Sequence, residues 1–447
     1  MRSLKLSLGA VTLAITLLAS RPALAAEEVS ISAGDTGFIL ICAALVLLMT
    51  PGLAMFYGGM VRSKNILSIL MQCLAAMALV SIQWILLGYT LSFGPDHGTL
   101  IGGLDFLGFG NIGLEALSDT VPIPHLAFAG FQLMFAIITA ALITGAFAER
   151  MKFSVFVVFI LLWTTLIYDP LAHWVWGGGW LGQLGIMDFA GGTVVHISSG
   201  VSGLVAALVL GKRLGKEREA IRPHNMPLTV LGAGLLWFGW FGFNAGSALS
   251  ANGVAALAFL VTNTCTAAGA LSWVAAEWLH HGKPTVFGAV SGAVAGLVAI
   301  TPAAGFVSPL SAIAMGLVVG PLCYLAVSKM KEKFGYDDAL DVFGIHGVGG
   351  TWGALATGIF ASTAINPAGM DGLLAGNPGQ LLVQSIGVVA TYVFAALMTY
   401  AVLKAISLFT SLRVSEEEEE AGLDLSLHGE DGYSNADMSG EGHAVAV

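Results

Sequence analysis

The sequence predicts an all-α polytopic membrane protein of eleven transmembrane helices, built as a 5+5 inverted repeat plus a long eleventh helix. Three observations carry this: a charge-poor composition, a string of apolar segments of bilayer length, and a one-sided distribution of lysine and arginine. Of the 447 residues, 56% are hydrophobic and 10% charged, with a mean hydropathy of +0.83. A soluble chain carries roughly 25% charged residues, so a string of soluble domains is excluded. A net charge of −10 likewise excludes a basic nucleic-acid binder.

Residues 1–25 read as a secretory signal peptide. Arg2 and Lys5 make a positive start, an apolar run follows from Leu8 to Ala19, and Ala23-Leu24-Ala25 is a small-residue cleavage pattern. Eleven apolar segments come next, at 36–58, 65–93, 122–148, 153–170, 189–211, 227–247, 254–280, 285–302, 308–330, 339–361 and 379–411. Most can cross a hydrocarbon core of about 30 Å. The last is long enough to tilt or to project into water.

Lysine and arginine test that count. Beyond the signal they fall at 62 and 64, at 150 and 152, at 212, 213, 216, 218 and 222, at 283, at 329, 331 and 333, and at 404 and 413. Each group follows an odd-numbered segment. The positive-inside rule then puts the mature N-terminus outside a plasma (inner) membrane and the C-terminus in the cytoplasm. The domains are a membrane domain, 26–411, and an acidic cytoplasmic tail, 412–447. Within the membrane domain 36–211 is the first repeat, 227–361 the inverted second repeat, and 379–411 the eleventh helix.

The repeat has a direct signature. Segment five contains Asp188 and, eight positions on, His196; segment ten contains Asp338 and, eight positions on, His346. Eight helical residues advance about 12 Å, so both histidines are expected near the midplane, reached from opposite faces and placed to meet. The acids have a plainer role open to them as helix N-caps. Ionisable groups at the midplane mark ion or proton pathways. Two histidines are too few for a zinc site; His125 and His173 belong near the outer face, and His224, His280 and His281 near the cytoplasmic one. No nucleophile–base pair shares one depth, which argues against an enzyme, and no cofactor is called for. The four cysteines, Cys42, Cys73, Cys265 and Cys323, all lie in apolar stretches and read as packing residues.

The inferred path is apolar, with no carbonyl-filter signature and no ring of acids near the midplane. It suits a small species crossing without a full charge. The outer ends of the segments are rich in aromatics: Phe131, Phe135, Trp163, Trp174, Trp176, Trp180, Trp237, Trp240, Phe241 and Phe243. Most read as an interfacial belt and packing; a few can cage a small cation.

The stretches YDPLAHWVWGGGWL, DFAGGTVVH, GWFGFNAGSA and DVFGIHGVGG resemble the ammonium transporter family, the Amt/Mep/Rh proteins, and within it the bacterial Amt branch. The resemblance runs from about residue 36 to 430. It implies a homotrimer with one pore per protomer, carrying ammonium or ammonia and its analogue methylammonium. It implies an outer recruitment site of Phe131, Phe135, Trp176 and Ser247, supported by Asp188. It implies a gate of stacked Phe135 and Phe243, paired pore imidazoles from His196 and His346, and a path lined by Trp240 and Thr301.

The tail holds ten of the acids and one base, Arg413. Charge runs are solvated as a rule, which is the expectation for 431–447. The middle of the tail resembles the family's cytoplasmic segment, in which Gly422, Leu423, Asp424, His428, Gly429 and Glu430 would pack beneath the pores. The resemblance also implies a PII-type regulatory protein as a cytoplasmic partner. A membrane sensor for ammonium and a channel for a different small solute, such as CO2 or water, are the alternative readings; sensors of that type usually carry a fused signalling domain, larger than this 36-residue tail.

Overall fold

The structure is a computed structural model, and it describes residues 30–216 and 222–433. The signal segment, Arg218 and residues 434–447 lie outside the described residues.

Nine helices among the described residues are long and apolar enough to cross a membrane. They are α1 (Ala33–Met60), α2 (Ser63–Phe93), α3 (His125–Ala146), α4 (Phe153–Gln183), α5 (Gly192–Leu210), α6 (Met226–Gly246), α7 (Gly253–His281), α9 (Pro309–Phe334) and α11 (Pro378–Ser407). One shorter apolar helix, α8 (Val286–Ile300), and the helix α10 (residues 343–360) pack with them. Large apolar side chains such as Leu74, Ile82, Leu271 and Leu382 face outward, each more than half exposed. In water such a surface would aggregate; against lipid it is at its lowest free energy. Two small hairpins, β1 (Asp96–His97) with β2 (Ile101–Gly102) and β3 (Ala116–Ser118) with β4 (Val121–Pro124), join α2 to α3.

The helix starts follow from the sequence. Asn225 caps α6 through Leu228 N at 3.0 Å, and Asn252 accepts from Val254 N and Ala255 N at the start of α7. Thr285 caps α8 and Ser308 caps α9, each holding the N–H three residues on. These side chains supply acceptors that the first turn of a helix lacks.

Segment four continues further than its apolar run suggests. A widened i→i+5 turn, Thr164–Tyr168, lies just before Pro170, and the helix resumes as Asp169–Val175. The proline has no N–H to give the ladder, and the extra residue in the turn absorbs the mismatch. Trp163 also departs from its place among the outer aromatics. It is fully buried and donates to Ser202 Oγ at 2.9 Å, which accepts from Thr399 as well, so it ties α4, α5 and α11 together inside the bundle. The eleventh helix ends at Ser407, short of 411.

Helices five and ten depart most from expectation. The acid does not begin the helix; it lies outside it. After Asp188 the chain bends, Gly191 takes φ 111°, and α5 opens on the widened turn Gly192–Ile197. After Asp338 the chain bends, Asp341 takes φ 61°, and the widened turn Phe343–Gly347 follows. Each histidine therefore sits about one turn into its helix rather than eight helical residues in. Non-helical backbone at this depth is tolerated because it is buried in protein.

Small residues bring the axes close. Gly52 of α1 and Gly232 of α6 leave no room for a Cβ, which at Gly52 would meet Leu235 Cβ at 2.9 Å. Where α5 crosses α10, a Cβ on Gly200 would overlap the Gly347 backbone, and one on Gly350 would lie 3.0 Å from His196 Cβ. Close backbone approach of this kind is how helices gain packing in lipid.

At one end of the bundle the loops and tail are knit by ion pairs. Glu149 accepts from Arg62 and Arg213, and Asp337 from Arg213 and Lys216. Burial alone would raise the Asp337 carboxyl, but Arg213, Arg150 and Lys216 hold it well below the usual carboxylate range. Burial pushes Arg150 down to about 10; its guanidinium donates to the carbonyls of Ala146, Ala148 and Asp337.

The run of five glutamates forms α12 (Glu416–Ala421), opened by a capping box between Ser415 and Glu418. Its Glu419 is buried, accepting from Arg413 and from Leu214 N. A further turn, α13 (Asp424–His428), packs against α2. At the far end residues 431–433 are exposed, and the Tyr433 hydroxyl meets His224 at 2.8 Å.

Candidate functional site

The two histidines meet where α5 and α10 cross. Nδ1 of His196 and Nδ1 of His346 are 3.3 Å apart, and the rings stack with centroids at 5.3 Å and planes 21° apart. A hydrogen bond between two Nδ1 atoms needs one ring to donate and the other to accept. One imidazole therefore presents a bare Nε2 and the other an Nε2–H. Nε2 of His196 has no hydrogen-bond partner among the described residues.

Trp240 lies parallel to His196, centroids 5.3 Å apart. Its indole N–H donates to Thr301 Oγ1 at 2.9 Å, and that hydroxyl donates to Leu297 O at 2.8 Å. Thr301 thus stands behind Trp240 and fixes it. The histidines, Trp240, Phe243 and apolar side chains from α1, α3, α5, α6 and α8 line an enclosed cavity. The space for the centre of a water-sized molecule amounts to about 10 Å³, against the ~10–15 Å³ that one water requires. The cavity is therefore about the size of a single water molecule.

Phe135 and Phe243 close the cavity on one side, stacked at 4.2 Å with planes 23° apart. Beyond them lies an open recess of about 440 Å³ lined by Phe135, Trp176, Ser247, Phe93, Phe128, Gln132, Phe189 and Leu249 among others. Phe131 is wholly buried and stands edge-on to Phe135 at 4.9 Å, supporting the recess from behind. Ser247 donates its proton to Phe243 O at 2.9 Å, which leaves the oxygen lone pairs to accept.

Asp188 makes no use of its charge in the recess itself. Its carboxylate accepts from the N–H groups of Gly191, Gly192, Thr193 and Val194 and from the Thr193 hydroxyl. This is an N-cap with every lone pair engaged. Its backbone carbonyl accepts from the Trp176 indole at 2.8 Å, so the cap also positions a wall of the recess. Asp338 does less of the same work, accepting from Phe343 N at 2.7 Å.

Gln132, Phe189 and Leu249 were not singled out by sequence. Gln132 had a signal: it is an amide in an apolar helix, three residues before Phe135. The four cysteines are buried free thiols, and among the described residues no group of three or more His, Cys, Asp or Glu could hold a metal.

The tail residues lie around the start of α2. Leu423 N donates to Asn65 Oδ1 and Asp424 Oδ1 accepts from Ser68 N, both at 2.8 Å. Burial raises the Asp424 carboxyl from its ordinary value, against the pull of those backbone bonds. Gly422 and Gly429 take positive φ, the His428 ring meets Phe153 edge-on, and Glu430 N bonds Asp424 O.

The profile of the Ammonium Transporter Family matches residues 37–433. The ammonium transporter of Bacillus subtilis is 56% identical over 403 residues, 90% of this chain and 99% of the relative. The ammonium transporter Amt1 of Archaeoglobus fulgidus is 49% identical over 404 residues, 90% of this chain and all of the relative. Among solved structures, Saccharomyces cerevisiae Mep2 superposes with TM-score 0.80 at 38% identity, covering 87% of this chain and 91% of the other. A protein described as a sensor Amt protein superposes with TM-score 0.82 at 31% identity, covering 88% of this chain and 98% of the other. With the fold, the paired imidazoles and the aromatic recess in place, these likenesses establish that the chain belongs to the ammonium transporter family.

Proposed function

We propose that the protein moves ammonium across a plasma-type membrane by recruiting NH4+ in the aromatic recess and passing NH3 by the two histidines. The observation that carries this is the adjacency of recess and histidine cavity through the stacked Phe135 and Phe243, the first lining the recess and the second the cavity. In the recess the faces of Phe135 and Trp176 attract a cation, and Ser247 accepts a hydrogen bond from it. The cavity is too small and too apolar for a solvated charge, and a bare one costs several kcal/mol or more there. Ammonium therefore gives up its proton as it leaves the recess. The pair of Nε2 atoms, one donor and one acceptor, guides NH3 onward, and exchanging their tautomers moves a proton past the same pair.

In this reading α8 and α10 also cross the membrane, giving eleven spans. The halves α1–α5 and α6–α10 are inverted repeats; the shared pattern of acid, bend, positive-φ residue, widened turn and histidine in α5 and α10 supports that. The N-terminus is outside after signal cleavage and the tail is cytoplasmic. The unit is a homotrimer, and the tail face receives a PII-type protein.

Uptake of labelled methylammonium by a strain lacking its own ammonium transporters tests the function. Uptake inhibited by ammonium is the expected result; well-folded protein at the membrane with no uptake overturns it.

A further inference from the structure

We infer that Gln132 is a substrate-positioning residue of the recess, supplying a second oxygen acceptor beside Ser247. The inference rests on the transport reading above and names the part of the recess that sets which ammonium species it prefers.

Gln132 stands on α3 four residues after Phe128 and three before Phe135, so the three share a helix face. All three line the recess, opposite Trp176 and Ser247. Thr139, further along the same helix, has its hydroxyl satisfied by Phe135 O. The carboxamide oxygen of Gln132, by contrast, is buried with no hydrogen-bond partner among the described residues. A buried amide oxygen without a donor is unfavourable, and the terminal torsion of glutamine is broad enough to turn that oxygen to the recess. The other polar groups there are committed: the Trp176 N–H to Asp188 O, the Ser247 O–H to Phe243 O. What the Gln132 oxygen lacks is a donor. A cation bearing N–H groups supplies it, with one N–H to Ser247 Oγ, one to Gln132 Oε1, and the rest of its surface against the aromatic faces.

This arrangement ranks ligands by their N–H count. Ammonium and methylammonium serve both acceptors; trimethylammonium, with one N–H, serves one.

The test is labelled methylammonium uptake by the full-length protein, competed by ammonium, methylammonium and trimethylammonium. Gln132→Met keeps the length and apolar bulk of the side chain and removes the acceptor. It should raise KM about tenfold, the effect of one lost hydrogen bond to a charged group, with Vmax within about twofold. Inhibition by trimethylammonium should change far less. Gln132→Glu keeps an acceptor oxygen and should hold KM at or below the wild-type value, which a purely packing role would not do. Unchanged KM in Gln132→Met, or an equal rise in both variants, overturns the role of Gln132 while leaving wild-type transport standing. A wild-type protein without ammonium-inhibited uptake overturns the transport reading itself.

Discussion

His196 and His346 share a contact at 3.3 Å between like nitrogens, on helices 150 residues apart that approach closely where Gly200 and Gly350 leave room. The contact couples the two tautomers: a proton gained by one ring at Nε2 is matched by one lost from the other. If this pair relays the proton of ammonium, replacing both with alanine removes the only titratable groups of the cavity. Ammonium-evoked current across a membrane reconstituted with His196→Ala/His346→Ala protein should fall to background. Undiminished current would sink the relay.

The stacked rings of Phe135 and Phe243 separate the recess from the cavity, since the first lines one and the second the other. Removing one ring opens a void into which water can pass from the recess. Phe243→Ala should admit K+, measured as K+ flux into vesicles, where the wild type admits none. The buried ring is also packing, so stability should fall by about 3–5 kcal/mol. A variant that folds, transports and still excludes K+ would show that the rings are not the barrier.

Asp188 should be among the least replaceable acids of the chain. Alanine leaves four N–H groups and a hydroxyl without their acceptor, and asparagine turns an NH2 toward donors. Both changes should lower stability by about 2–4 kcal/mol, the loss of several bonds to one charged group. The check is thermal unfolding in detergent. A parallel change in the fluorescence of Trp176, whose indole rests on the Asp188 carbonyl, should accompany it. Wild-type stability in Asp188→Asn would mean the cap is redundant.

How much of this was legible in the sequence depended on the kind of signal. The meeting of His196 and His346 was readable because the same acid-to-histidine spacing occurs twice, on segments whose flanking charges have opposite order. The widened turns were not readable, because periodicity sees 3.6 residues per turn and not one inserted residue. The buried placement of Trp163 was hidden for a different reason: an indole at an interface and an indole bonded to Ser202 inside the bundle look alike in sequence. Glu419 shows the limit most clearly. Within five identical letters, which one turns inward is decided by Arg413, six residues upstream, and by the Leu214 amide, 205 residues away, which only the fold brings near.

Asp337 carries a pH prediction. Its carboxyl is held below the ordinary value of 3.8, so the stabilisation it supplies is fully present above that value and is lost as pH falls through the lower, folded one. Asp337→Asn should be less stable than wild type by about 3–5 kcal/mol at neutral pH, because the buried Arg213 loses its nearer carboxylate and keeps only Glu149 at 3.4 Å. The gap should narrow below about pH 4. Parallel stability curves from pH 7 to pH 3 would refute the assignment.

Gly422 is the hinge on which the tail turns beneath α2. Its φ of 101° strains any other residue, and a Cβ there would lie 2.7 Å from both Lys64 Cβ and the Lys64 carbonyl. The next two residues make the anchoring bonds to Asn65 and Ser68, so whatever moves Gly422 moves them. Gly422→Ala should release the tail while leaving the bundle intact, since the contacts it breaks are those between the tail and the start of α2. A glutamate-specific protease reads this directly: Glu419 is shielded when docked, and cleavage within 416–420 should speed up at least tenfold on release. Uptake by the same variant then separates two roles. If the docked tail holds the cytoplasmic loops in their conducting arrangement through Arg413, Glu419 and Leu214, transport falls together with protection. If transport persists at the wild-type rate while the tail is cut freely, the tail is a docking platform for a partner and not a part of the conducting unit.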